Sequence, residues 1–266
     1  MTIIIQSHKN QTPPTITSTA NAAWRFAPAD LRLEMGEAHI WLVSLDEENA
    51  GFERLLSDDE LIRAERFRFA PDRKRFVAAR AFLRIILGKY LKTNPRLIRF
   101  EYNEYGKPFL NREMRSSIKF NLSHSDNLAV YAFMDGSEIG VDIERIKPSL
   151  VDDQMLAHSL TAREIVRFRT LPKDERELFF FDCWTRKEAY LKMCGSGFSL
   201  PANEIETLML PETSTDFFDD DEVRKRRLSF QNLPFIAGCA AALAIEASNP
   251  QMKFLLHSNA ASEKYS

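Results

Sequence analysis

Apolar residues in this chain are spaced as two helices and a series of strands, and that order then recurs. After a strand at 39–45, Ser57 caps a first helix, with Glu60 at the capping-box position and Leu61, Ile62, Ala64 and Phe67 on its apolar side. Asp72 opens a second helix that reaches about Leu91, with Phe76, Ala79, Leu83, Ile86 and Leu87 as its buried stripe. Strands follow at 98–102, 118–122, 128–133 and 138–143, separated by turns containing Asn, Asp and Gly. Thr161 then caps a helix with Glu164 at its capping-box position. A long helix from Glu175 to about Cys194 opens at Asp174 and stops at Gly195. Strand-like runs return at 205–210, 228–233, 236–245 and 254–257. The recurrence points to an α+β chain of two similar lobes, each laying helices on a sheet. The lobes are expected at 38–146 and 147–250, with 1–37 a disordered tail rich in Thr, Ser and Pro and 251–266 a C-terminal strand and tail. Residues 216–227, acidic and then basic, read as an exposed loop.

At 266 residues and 44% hydrophobic content, the chain can bury one large core or two smaller ones. A net charge of -2 carries no global signal for a polyanion partner. Cys183, Cys194 and Cys239 make no CxxC pair and no even framework, which suits a reducing, cytoplasmic setting. No apolar run is long enough to span a bilayer, and Ile3 to Ile5 is too short for a signal peptide. The phosphate-cradling glycine loop, the dinucleotide fingerprint, zinc spacing and the GxSxG elbow are all missing from the sequence.

Chemistry concentrates in a few short runs. In Gly140-Val141-Asp142-Ile143-Glu144 the apolar residues Ile139, Val141 and Ile143 face one way and the two acids the other. The acids lie about 7 Å apart at their Cα atoms on an ideal strand. A bend at the strand end would let them converge on one hard cation, although such a pair also suits a solvated strand face. In the helical run Trp184 to Lys192, residues Trp184, Glu188 and Lys192 share a face at four-residue steps. They supply a third acid and a cation, or simply a surface pair. Asn121-Leu122-Ser123-His124-Ser125 closes a strand with hydroxyl and imidazole donors, and Tyr105-Gly106-Lys107-Pro108 is a turn presenting Lys107. Arg73, Lys74, Arg75, Arg80 and Arg84 form, on their own, a solvated basic helix face.

Together these runs, in this order and spacing, resemble the 4′-phosphopantetheinyl transferases of the larger, Sfp-type class. The likeness covers about Ala38 to Pro201 and includes Gly195-Ser196-Gly197-Phe198-Ser199-Leu200-Pro201. It implies a pseudo-two-fold dimer of lobes within one chain, with coenzyme A in the cleft. The implied reaction moves the phosphopantetheine arm to a serine of an apo acyl or peptidyl carrier protein and releases adenosine 3′,5′-bisphosphate. Magnesium would sit on the diphosphate, held at Asp142, Glu144 and Glu188. The resemblance makes Glu188 the first choice for the base that takes the serine proton, directly or through water, with Asp142 and Lys192 as its catalytic neighbours. It implies phosphate contacts from Ser123 and His124, and a diphosphate contact from Lys192. Lys107 and Pro108 would lie at the adenosine end, and Arg63, Arg75 and more weakly Lys187 at the 3′-phosphate. The chain departs from the family at Asp126, where Gly is frequent, at Phe198, where Leu is, and at Glu60, where some members carry Lys.

Two other readings fit parts of the sequence. A non-catalytic coenzyme A-binding regulator would keep the cations without needing the acids, and all three acids are here. A nucleic-acid binder using the Arg-rich helix would show steep salt dependence and no need for magnesium, and the near-neutral charge speaks against it. The expectation is therefore a monomeric enzyme with no membrane or nucleic-acid partner. Fatty acid, polyketide, nonribosomal peptide and lysine-pathway carriers all remain possible substrates.

Overall fold

Two sheets stacked between two long helices account for nearly every apolar residue whose spacing repeats. The computed structural model describes residues 23–46, 51–147, 151–195, 201–207, 213–218, 227–234 and 236–257. Along the chain, β1 (Trp24–Phe26) and β2 (Glu37–Ser44) precede α1 (Asp58–Glu65) and α2 (Ala70–Leu91). The hairpin β3 (Phe100–Tyr102) and β4 (Pro108–Leu110) leads into β5 (Ile118–Ser125) and β6 (Leu128–Asp135). The second half holds β7 (Ile139–Arg145), α3 (Asp153–Ser159), α4 (Ala162–Thr170) and α5 (Lys173–Cys194). It closes with β8 (Thr213–Phe218), β9 (Arg227–Asn232), β10 (Cys239–Ile245) and β11 (Gln251–Leu256).

One sheet has the order β1-β11-β2-β6-β5 and the other the order β7-β10-β9-β8. The alternation along β2 and β6 feeds two cores. Trp41, Val43, Tyr131 and Phe133 pack with Phe82, Leu83 and Ile86 of α2. Ile40, Leu42, Val130 and Ala132 pack instead against Ile139, Val141, Ile143 and Leu243 of the second sheet. The layers therefore run helix, sheet, sheet, helix, and the lobes join through an apolar seam between the sheets. Beyond it, α5 lies on the second sheet, where Ala189 and Met193 meet Ala242, Ala244 and Phe230.

This α+β architecture bears out the expected fold and moves several boundaries. β7, placed by its sequence position in the first lobe, pairs antiparallel with β10 in the second sheet. β11 is no trailing strand: it inserts parallel between β1 and β2, one strand in from the edge of the first sheet. Among the described residues a strand is already present at Trp24, ahead of the expected start near Ala38, because Trp24 is 4% exposed and lies under the cover of β11. Helix α2 starts at Ala70, with Pro71 in its first turn, where its fixed φ and missing N–H cost nothing. A 3₁₀ turn occupies Ala202–Glu204 inside the region expected to lead into a strand at 205–210. Positions 208–210 lie outside the described residues. The expected loop at 216–227 begins instead in β8, which pairs with β9, and 219–226 lie outside the described residues.

Both expected capping boxes form, and their acids do more than cap. Glu60 is fully buried and accepts 2.7 Å bonds from Nε of both Arg80 and Arg84. Arg84, 1% exposed, also donates to Pro95 O, Ile98 O and Ser57 Oγ, so its charge is paired and its donors are used. These two arginines are therefore interior ties rather than a solvated face. In the second lobe Glu164 receives Thr161 N at 2.8 Å, Thr207 Oγ1 at 2.6 Å and Lys187 Nζ at 2.5 Å.

Candidate active site

The seam between β5 and β7 is held by side chains instead of a backbone ladder. Asn121, Ser123 and Ser125 alternate along β5 and so share a face. Asn121 Oδ1 accepts from Val141 N at 3.0 Å, and Ser123 Oγ donates to Asp142 Oδ1 at 2.8 Å. Ser125 Oγ donates to Glu144 Oε2 at 3.0 Å and accepts from Arg145 N at 2.9 Å. The strand turns back at Asp126 with φ +51°, a left-handed conformation that Asp tolerates better than most residues. Asp126 thus keeps the backbone that glycine would adopt at this position, and it pairs there with Lys147.

Asp142 and Glu144 face away from the apolar seam, as their alternation requires, and α5 passes over them. That passage depends on Gly140, where a Cβ would lie 2.0 Å from Ala189 O and 2.4 Å from Met193 N. From the helix, Lys192 Nζ reaches Asp142 Oδ1 at 2.5 Å and Ser123 Oγ at 2.8 Å. Asp142 is 1% exposed, and its second oxygen, Oδ2, is buried with no hydrogen-bond partner. Glu188 stands one turn before Lys192. Burial first, and then the Asp142 charge, raise the Glu188 carboxyl above its ordinary value, with Lys192 opposing them. Glu144 is raised in the same way by burial and then Asp142, against the Ser125 bond and Lys192. The three acids thus feel one another across a small, poorly hydrated space. Among the described residues no trio of acidic, imidazole or thiol ligands is gathered closely enough to enclose a cation. Lys192 already occupies one Asp142 oxygen, while Oδ2 remains an acceptor without a donor.

Beside this cluster lies a cavity of about 250 Å³. The Tyr105–Pro108 turn forms one wall, and Glu188, Leu191, Lys192 and Gly195 form the other. Lys107 Nζ crosses at one end to Met193 O at 2.9 Å and also bonds Glu138 at 3.1 Å. His124 sits on the opposite face of β5 from Ser123. The residue is exposed overall. Loss of hydration, followed by the nearby charges of Lys192 and Arg75, holds its imidazole below the ordinary value against Asp142 and Asp72. Arg75, from the first turns of α2, therefore reaches the same neighbourhood, where it also lies 3.6 Å from Asp46. Arg63 is exposed, its guanidinium 4.7 Å from the centroid of the Tyr102 ring on the hairpin.

The structure thus gathers Lys107, Pro108, Ser123, Asp142, Glu188 and Lys192 at one cleft, with Glu144, His124 and Arg75 at its edge. Arg63 stays over Tyr102 on the hairpin, and Lys187 lies elsewhere altogether. It is fully buried, with Nζ on Glu164 and on Ser159 O at 2.7 Å, so it faces the interior of the second lobe and is no phosphate ligand. Residues 196–200 of the glycine-containing run after α5 lie outside the described residues. Sequence reasoning passed over Asn121, Ser125 and Asn103. The two-residue spacing of Asn121, Ser123 and Ser125 was the available signal for the first two, and an Asn three residues before a turn glycine was the signal for the third.

Among the described residues no helix is long and apolar enough to cross a membrane. Residues 138–244 match the profile described as the 4′-phosphopantetheinyl transferase superfamily, and residues 41–135 match the N-terminal 4′-phosphopantetheinyl transferase profile. The two matches meet between β6 and β7, where the chain passes from one sheet to the other. The 4′-phosphopantetheinyl transferase HetI of Nostoc sp. is 40% identical over 192 residues, spanning 71% of this chain and 81% of the relative. The 4′-phosphopantetheinyl transferase psf-1 of Bacillus pumilus is 34% identical over 165 residues, 60% of this chain and 69% of the relative. The 4′-phosphopantetheinyl transferase Sfp of Bacillus subtilis is 30% identical over 155 residues, 58% and 67% of the two chains.

Proposed function

The chain belongs to the 4′-phosphopantetheinyl transferase family, and we propose that its cleft moves the phosphopantetheine arm of coenzyme A onto a serine of an apo carrier protein. The observation that carries this reading is the convergence of Lys192, Ser123 and Asp142 at one point, with Glu188 one helical turn away on the wall of a cavity. A diphosphate needs cations and donors at its oxygens, and the attacking hydroxyl needs a proton acceptor beside it. The cluster supplies both.

In this reading the serine Oγ attacks the β-phosphorus. The bond from that phosphorus to the bridging oxygen breaks, and adenosine 3′,5′-bisphosphate leaves with the electron pair. Glu188 takes the serine proton, directly or through one water. Lys192 and Ser123 hold diphosphate oxygens, the Lys107–Pro108 turn receives the adenosine end, and Arg75, His124 and Arg63 form the cationic rim for the 3′-phosphate.

Magnesium fits this set on one structural ground. Asp142 Oδ2 is a buried acceptor with no donor, and burial first, then the Asp142 charge, push the two neighbouring acids toward protonation, which a cation among them would oppose. Asp142, Glu144 and Glu188, not gathered closely enough to enclose an ion by themselves, would hold it jointly with diphosphate oxygens and water. When bound it would neutralise charge developing on the transferred phosphoryl group. One chain supplies both walls of the cleft, so a monomer suffices as the acting unit. The thiol state of all three cysteines suits a cytoplasmic setting.

The test incubates the protein with coenzyme A, magnesium and a panel of apo carrier proteins, and reads each carrier by intact mass. The addition of one phosphopantetheine to at least one carrier is the expected result. No addition to any carrier by a protein shown to be folded and able to bind coenzyme A would defeat the reading.

A further inference from the structure

The cavity has two walls from different lobes, and two side chains of one hairpin join them: Lys107, with Nζ on Met193 O at 2.9 Å, and Asn103. Asn103 closes the β3–β4 hairpin. Its Oδ1 accepts from Tyr105 N at 3.0 Å and Lys107 N at 2.8 Å, while its Nδ2 donates to Gly195 O at 2.7 Å. The amide orientation is fixed by these partners, since two N–H donors meet the oxygen and one carbonyl meets the nitrogen. Asn103 N bonds Lys107 O and Gly106 N bonds Asn103 O, so the turn is folded tightly about this residue. Gly195 is the left-handed cap of α5, at φ +67°. A Cβ there would lie 3.1 Å from Asn103 Nδ2 and 3.3 Å from Lys107 Cδ. The hairpin is therefore seated on the end of α5 as closely as a glycine allows.

We propose that Asn103 is a positioning residue for the coenzyme A site: it staples the Tyr105–Pro108 turn to the C-terminus of α5 and so sets the gap between the cavity walls. The proposal rests on the transferase reading for the identity of the ligand, and on the bonds above for the staple. The placement of α5 itself is secured elsewhere, by its contact with Gly140 and by the Lys187–Glu164 tie. Loss of the staple therefore loosens the turn, leaving Lys107 Nζ on Met193 O as its tether, and does not displace the helix. The effect falls on coenzyme A affinity more than on the turnover of bound substrate.

The variants separate the two jobs of the side chain. Asn103→Asp keeps an acceptor for both turn N–H groups but loses the donor, and it sets a carboxylate against Gly195 O. Asn103→Ala loses both functions. In Asn103→Asp we expect the KM for coenzyme A to rise about tenfold with kcat within about twofold, at an unchanged thermal midpoint. Asn103→Ala should rise further and lose some thermal stability. A wild-type KM in Asn103→Asp overturns the proposal, and so does a parallel fall of kcat and thermal midpoint, which would mark Asn103 as a structural residue only. Calorimetric binding of coenzyme A to the wild type and Asn103→Asp is read in parallel. It tests the staple even where no carrier is modified, so its failure is distinguishable from failure of the transferase reading.

Discussion

Gly140→Ala isolates what the close approach of α5 is worth. Gly140 does not adopt a left-handed φ, so alanine can take its backbone conformation without strain and the obstacle is space alone. The new Cβ would sit 2.0 Å from Ala189 O, 2.4 Å from Met193 N and 2.9 Å from Met193 Cα. All three are backbone atoms of α5, so no rotamer change can relieve them. Bringing the shortest contact to 3.0 Å, the least a real Cβ shows, requires α5 to withdraw by about 1 Å. Overpacking of this kind costs about 1–3 kcal/mol of stability. The catalytic cost should be larger. Ala189 and Met193 adjoin Glu188 and Lys192, and displacement of catalytic groups by about 1 Å lowers rates by about 100-fold. Denaturant unfolding should show a lower midpoint with an unchanged m-value, and the rate of carrier modification should fall far more than the folded fraction does. Gly136→Ala is the control: its φ is +72° with nothing within 4 Å of the added Cβ, so it should cost about 1–2 kcal/mol and leave the rate near that of the wild type. A folded Gly140→Ala protein with the wild-type midpoint and rate would refute the packing argument.

Glu188→Gln keeps shape and removes the proton acceptor. Its kcat should drop by about 10²–10⁴-fold with the coenzyme A KM little changed, and a wild-type kcat would end its assignment as base. Magnesium at millimolar concentration should raise the thermal midpoint of the wild type by linkage and leave Asp142→Asn unmoved; equal shifts in both proteins would remove Asp142 from the ligand set. Burial alone would raise the Glu164 carboxyl, but the bonds from Lys187, Thr207 and Thr161 more than reverse this and hold it below its ordinary value. Its stabilising contribution is therefore present above the unfolded-chain value and lost as pH falls through the lower folded value. Glu164→Gln, which leaves Lys187 buried and unpaired, should cost about 3–5 kcal/mol near neutrality, and the gap to wild type should narrow in acid; a gap independent of pH would contradict the pairing.

Local chemistry was the legible part of this chain. Alternation placed Asp142 and Glu144 on one face of a strand, and four-residue spacing placed Glu188 and Lys192 on one face of a helix. Neither rule needs tertiary information. The capping boxes at Ser57 and Thr161 were equally local. Partner choice was hidden because it depends on crossovers. No short-range signal says that β11 returns to the first sheet, or that β7 leaves it for the second. The tail before Ala38 hid its strand for the same reason, since Trp24–Phe26 is three residues long and ordered only by β11. The β5–β7 seam was half visible. Ser123 carried a phosphate-binding expectation from the family resemblance and Ser125 carried none, whereas the bonds of both here run to β7 side chains and backbone.

The fate of the basic residues follows one rule that both lobes obey. In each lobe a short helix opens with a capping box whose acid turns inward. In each lobe a cation on the following long helix, 24 residues on in one case and 23 in the other, closes on that acid. Arg84 brings enough donors to satisfy two carbonyls and a serine besides, while Lys187 satisfies one carbonyl. The two ties fix α2 and α5 in equivalent ways, and each leaves the helix end nearest the cleft to carry a different cation, Arg75 on α2 and Lys192 on α5. A basic residue with a buried capping-box acid to meet is thereby committed to the fold. Lys187 meets such an acid, whereas Lys192, five positions on along the same helix, meets Asp142 and Ser123 at the cleft.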